Sequence, residues 1–135
     1  MNTENQNVEF KETWRDEYLK WICGFANAQG GKLCIGIDDD GKVVGVKNAK
    51  KLMEDIPNKV RDTMGIIVDV ELSEIYGKNI LDITVPVHEY PVNYKGEYHY
   101  RSGSTKQLLQ GTALSLVLST IRFRKMLYAK PFSMP

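Results

Sequence analysis

Ile22-Cys23-Gly24-Phe25-Ala26-Asn27-Ala28-Gln29-Gly30-Gly31-Lys32-Leu33-Cys34-Ile35-Gly36-Ile37-Asp38-Asp39-Asp40-Gly41 reads as a helix end, a buried strand and a turn in succession. Just upstream, Trp14, Tyr18, Ile22 and Phe25 recur at helical spacing, and Leu19 and Ala26 widen the stripe. One face of a helix is therefore apolar and rich in aromatics. This helix is predicted to open at Thr13, with Asp16 in its first turn. Gly30-Gly31 ends it, because glycine enters the left-handed region without strain. Lys32 to Ile37 is a near-continuous apolar run, the pattern of a central strand buried on both faces. Asp38-Asp39-Asp40-Gly41 then makes a turn, and Lys42 to Val46 is expected to return as the second arm of a hairpin.

Outward from this block, Val8-Glu9-Phe10-Lys11 alternates as a short half-buried strand. Asn48 to Met64 has a helical pattern, with Leu52, Ile56 and Val60 four apart, Asn48 as cap and a break or kink expected at Pro57. Two long strands, Ile66 to Ile75 and Asn79 to Val87, are joined around Tyr76-Gly77-Lys78-Asn79. Pro86 and Pro91 suit an edge or an exit there. Tyr94 to Tyr98 reads as a turn leading into His99-Tyr100-Arg101. After a Ser102-Gly103-Ser104-Thr105 loop, a last helix is predicted over Lys106 to Leu118. The order implies a mixed α/β (α+β) fold, an antiparallel-rich sheet packed with two to three helices. Residues 1–119 are expected to form the domain. Residues 120–135 mix Ile121, Phe123 and Phe132 with Arg122, Arg124 and Lys130 as a basic and apolar tail: an amphipathic segment, a partner-binding tail or a remnant of a longer protein.

The chain has 135 residues, 42% of them hydrophobic and 26% charged, a globular balance that suits one domain. Two cysteines make neither a disulfide framework nor a zinc pattern. No apolar run approaches the roughly 20 residues of a membrane span, and the polar first residues predict no signal peptide. A soluble cytoplasmic domain is the expectation. Its charge is unevenly placed: residues 1–93 carry 11 Lys and Arg against 16 Asp and Glu, residues 94–135 carry 7 against 1. Such asymmetry suggests a polyanionic partner, the alternative being a solvated tail.

No nucleophilic triad is legible, His88 and His99 are too few and too separated for a metal cluster, and no Walker loop exists. Two groupings remain. Glu4, Glu9 and the Asp38 to Asp40 turn could converge on a divalent cation, which wants several oxygen ligands and could activate water. The alternative is that the aspartates only build a turn. The second grouping is Tyr98-His99-Tyr100-Arg101-Ser102-Gly103-Ser104-Thr105-Lys106. Alternation places Tyr98 and Tyr100 on one face, able to stack bases, and His99 and Arg101 on the other. Ser104 and Thr105 offer donors at an expected helix start, an anion seat. Core tyrosines and a simple helix cap are the alternative.

Taken in order, Val8-Glu9-Phe10-Lys11, then Ile22 to Leu33 with its Phe-Ala-Asn-x-x-Gly-Gly block, then Gly36-Ile37-Asp38-Asp39-Asp40-Gly41, then Tyr100-Arg101-Ser102-Gly103-Ser104-Thr105, resemble the Schlafen-type AlbA-like (AlbA_2) domain. That domain opens many bacterial transcriptional regulators and occurs in animal Schlafen proteins; the resemblance spans Glu4 to Leu109. It implies a nucleic-acid-binding module, a DNA-binding domain of a bacterial transcriptional regulator that needs no cofactor. DNA or RNA would be held through Lys11, Lys32, Tyr98, Tyr100, Arg101, Ser104, Thr105 and Lys106. A second implication is an endoribonuclease dependent on Mg²⁺ or Mn²⁺, with Glu4, Glu9 and Asp39 at the matching positions, the metal on Glu9 and Asp39, and a homodimer supplying the second lobe. An architectural dimerisation domain, suggested by the apolar tail after Thr120, is the third reading.

Overall fold

In the computed structural model, which describes residues 7–128, the chain runs β1 (Val8–Lys11), a 3-10 turn (Asp16–Tyr18), α1 (Leu19–Asn27), β2 (Gly31–Ile35), α2 (Ala49–Met64), β3 (Asp69–Ile75), β4 (Lys78–Val85), β5 (His99–Ser102), β6 (Thr105–Leu108) and α3 (Gly111–Tyr128). The main sheet has the order β1-β2-β4-β3, with β1 parallel to β2 and the other neighbours antiparallel. A separate hairpin joins β5 and β6. The fold is mixed α+β and mostly antiparallel, as the element pattern predicts.

Register sorts the side chains onto two faces. Glu9 lies beside Leu33, and Leu33 beside Ile83; Lys11 lies beside Ile35, and Ile35 beside Leu81. Side chains level with one another across a sheet share a face. On this face Leu33, Ile35, Leu81 and Ile83 pack with Ile22 and Phe25 of α1 and with Ile56 and Val60 of α2 to form the main core. Burying a side chain such as Phe25, which has no exposed surface, stabilises the fold by about 1.5–3 kcal/mol. Phe10, Cys34 and Ile80, on the opposite face, join Ile37 and Val43 in a smaller cluster.

Four local expectations are corrected. The first helix starts at Leu19 and not at Thr13, because Arg15 is extended and Asp16 is engaged sideways by Trp14 Nε1 at 2.9 Å and Lys59 Nζ at 2.8 Å. Lys42 to Val46 forms only a single bridge, Ile37 to Val43. There Val44 and Gly45 both donate to the Gly36 carbonyl, which curls the arm and stops it zipping up. Pro57 does not break α2: Ile56 and Val60, both fully buried, anchor the helix on either side of it. Asn48 precedes that helix in left-handed conformation (φ 58°) and makes no side-chain cap, its carbonyl accepting from Leu52 N instead.

The largest correction concerns the segment after Arg101. Lys106 lies in a strand, paired with Arg101 across a two-residue turn, and the final helix begins at Gly111 and passes through residues 118 to 120 without a break. Gly103, at φ 61°, takes the first central position of that turn. Thr105 Oγ1 donates to the Ser102 carbonyl, and Leu109 N to the Tyr98 carbonyl, extending the hairpin. No helix among the described residues is long and apolar enough to cross a membrane.

Gly30 closes α1 at φ 74°, its N–H bonded to the Phe25 carbonyl at 2.8 Å. A Cβ there would sit 2.7 Å from the Val85 carbonyl oxygen and 3.0 Å from Val87 N, both backbone atoms. Gly30→Ala is expected to cost about 1–3 kcal/mol in strain alone, read as a lower urea midpoint with an unchanged m-value.

Candidate functional site

A carboxylate in a strand that faces the main core needs a cation, and Glu9, 6% exposed, has two. Its Oε1 accepts from Arg101 Nη2 at 3.2 Å, and its Oε2 lies 3.5 Å from Lys11 Nζ. Arg101 Nη2 also donates to the Val8 carbonyl. The guanidinium lies 4.7 Å from the Phe25 ring centroid and 5.3 Å from that of Trp21. Lys11 Nζ sits over Tyr18 at 4.9 Å and over Trp21 at 4.8 Å. Cations and aromatic faces thus stack outward from a buried carboxylate, an arrangement favoured by the ring quadrupole.

What brings Arg101 there is the packing of β5 across α1. At Gly24 the two backbones are so close that a Cβ would stand 3.3 Å from Arg101 N. Asn27, fully buried, bonds the crossing segment: Nδ2 donates to the Val92 and His99 carbonyls at 2.7 and 2.9 Å, and Oδ1 accepts from Val92 N at 2.7 Å. Cys23 Sγ donates to the same Val92 carbonyl. Burial pushes its thiol up to about 11 and that of Cys34 up to about 12, so both stay protonated at neutral pH. His99 is buried, its Nε2 bonded to Glu97 Oε1 at 2.9 Å. Burial lowers its pKa, opposed by the Glu97 bond, and the same bond lowers that of Glu97.

Because Lys106 stands opposite Arg101 in the hairpin, it leans to the same side, toward α1. Lys11, Lys106 and Lys20 meet there around Tyr18 and Trp21, lining a hollow of about 250 Å³ with Glu17 on its rim. All three lysines and both rings are half-buried. A second cleft, of about 580 Å³, opens between Gln29-Gly30-Gly31 and Tyr100-Arg101-Ser102.

The structure divides the expected residues. Lys11 and Lys106 come together. Lys32 lies on the opposite face of the sheet, level with Val8 and Thr84. Tyr100 borders the larger cleft, Tyr98 is half-buried, and Ser104 and Thr105 are exposed at the hairpin turn, not at a helix start. Arg101, expected as an outward phosphate contact, has no exposed side-chain surface and pairs with Glu9. Lys20, Tyr18 and Trp21 escaped notice as site residues, since Tyr18 belongs to the apolar stripe. The available signal was Lys20-Trp21, a cation and a ring placed just off that stripe.

A divalent cation fits the described residues poorly. Glu9 already faces two cations, while Asp39 lies on the exposed turn beyond β2 and Asp38 Oδ1 accepts from Asp40 N and Lys42 N. No group of three or more His, Cys, Asp or Glu that could hold a metal occurs among the described residues. Glu4 lies outside them.

The chain is similar to known proteins in family and in fold. A family model described as Schlafen, AlbA_2 matches residues 4–110. The DIP2311 protein from Corynebacterium diphtheriae is similar in structure with a TM-score of 0.67 at 21% identity, covering 77% of this chain and 22% of that one. The N-terminal domain of a RecG-related protein from Nitrosomonas europaea, named as a candidate ATP-dependent DNA helicase, gives a TM-score of 0.55 at 21% identity, covering 78% and 84%. At this identity the likeness is one of fold. The chain spans about a fifth of the DIP2311 protein's length.

Proposed function

The chain belongs to the Schlafen AlbA_2 family, and from that premise we propose that it is a nucleic-acid-binding module, the DNA- or RNA-contacting domain of a transcriptional regulator. The observation that carries the reading is the convergence of Lys11, Lys20 and Lys106, from three different elements, on one hollow floored by Tyr18 and Trp21. Lysines that line one hollow repel one another, and a sugar-phosphate strand relieves that repulsion while releasing its own counterions. Buried Glu9 offsets part of the charge and keeps Lys11 in place when no strand is bound. The RecG-related relative's name associates that protein with DNA, which agrees with the reading.

The test is salt dependence. With three phosphates neutralised, the logarithm of the binding constant for a single strand should fall with the logarithm of salt at a slope of about −2. Combined Lys20→Ala and Lys106→Ala substitutions should reduce that slope to about −0.7 and weaken binding by about ten-fold or more, uniformly across sequences. An unchanged slope in the double variant removes these lysines from the interface and the reading with them.

A further inference from the structure

We infer that the hollow between Lys11, Lys20 and Lys106 takes one unpaired base, so that the ligand class of this site is single-stranded nucleic acid; the inference rests on the nucleic-acid reading above. Three lysines alone would suit any polyanion. The two rings are what a duplex cannot use, because its base faces are covered by their neighbours in the stack, whereas every unpaired base presents a free face to an aromatic side chain.

The geometry favours this occupant. Tyr18 is set edge-on by Trp14, with centroids 6.1 Å apart and planes 84° apart, so its plane is fixed in advance. Trp21 is packed against the Arg101 guanidinium, which lies 5.3 Å from its ring centroid. Lys11 lies over both rings, and its flexible stem and compact charge let it swing to a phosphate while a base replaces it. At about 250 Å³ the hollow is smaller than the roughly 300–1,000 Å³ of sites that enclose drug-sized ligands, which suits a single ring system. Glu17, which also lines it, would repel a phosphate, yet a carboxylate accepts well from the exocyclic amine of a base.

The experiment uses the whole chain. Its two tryptophans are Trp14 and Trp21, so Trp14→Phe leaves Trp21 as the only indole reporter. A mixed-sequence DNA strand of about a dozen nucleotides, its duplex, and the RNA strand of the same sequence are titrated at one salt concentration. The strand is expected to bind about ten-fold or more tighter than the duplex and to quench Trp21 emission on stacking. Trp21→Leu should lose about 5- to 150-fold in strand affinity, a larger loss than the duplex suffers. Trp21→Phe, which keeps a ring and the packing against Arg101, should retain the preference for single strands. A duplex bound as tightly as the strand, or a bound strand that leaves Trp21 emission unmoved, overturns the inference and leaves the nucleic-acid reading standing. Binding of neither strand nor duplex overturns that reading itself.

Discussion

Asn27→Ala lowers the stability of this domain by about 3–5 kcal/mol, out of a total that for small domains is typically 5–15 kcal/mol. The figure follows from the groups the substitution strands. Val92 N, Val92 O and His99 O are all bonded to the Asn27 amide, and Val92 and His99 are both buried. Each buried polar group left without a partner costs about 1–3 kcal/mol; Val92 O keeps the weaker bond from Cys23 Sγ, which trims the sum. Equilibrium urea unfolding measures it. Asn27→Asp is the sharper variant, since it preserves shape but turns both donors into a carboxylate oxygen facing two carbonyls. Its loss should equal or exceed that of Ala, and a loss below about 1 kcal/mol in either variant means the crossing segment is held by something else.

That prediction bears on what could be read from the chain. The Phe-Ala-Asn-x-x-Gly-Gly block is the most specific part of the family resemblance, and its residues do structural work. Phe25 fills the core, Asn27 fastens the segment before β5, and Gly30 turns the chain between backbone atoms of β4 and its exit. The main sheet was legible because strands β1 to β4 carry their own periodicity and Tyr76-Gly77 marks the hairpin. The hairpin of β5 and β6 was not, since Ser102-Gly103-Ser104-Thr105 suits a tight turn and a helix cap equally, and only pairing with Leu109 and Lys106 decides between them.

Arg101 shows the same limit at the site. Alternation along His99-Tyr100-Arg101 sorts the side chains correctly onto two faces, but the ordinary preference of charged residues for water turns the pair outward. In the structure the His99 and Arg101 face is the buried one. The reason is non-local: a carboxylate about ninety residues earlier in the chain and two rings of α1 together offset the desolvation of the guanidinium. No window along the sequence contains both partners.

Glu9→Ala tests that account directly and is the second substitution with a large expected effect. Removing one partner of a buried ion pair leaves the other charge uncompensated, which costs about 3–5 kcal/mol; Arg101, whose side chain has no exposed surface, cannot turn to water without unseating β5 from α1. Glu9→Gln should cost less, because its amide oxygen can still accept from Nη2. Arg101→Met alone strands the carboxylate, although Lys11 Nζ at 3.5 Å remains beside it and is itself 20% exposed, so the loss should be smaller than for Glu9→Ala. Combining Arg101→Met with Glu9→Leu removes both charges and fills their space with apolar groups, a replacement that is often neutral or stabilising for buried pairs. The double variant should therefore be more stable than Glu9→Ala, with a coupling of about 1–3 kcal/mol in the Glu9→Leu, Arg101→Met cycle. Additive losses in that cycle would show that Arg101 is not held by Glu9, and that Glu9 serves Lys11 at the rim of the hollow.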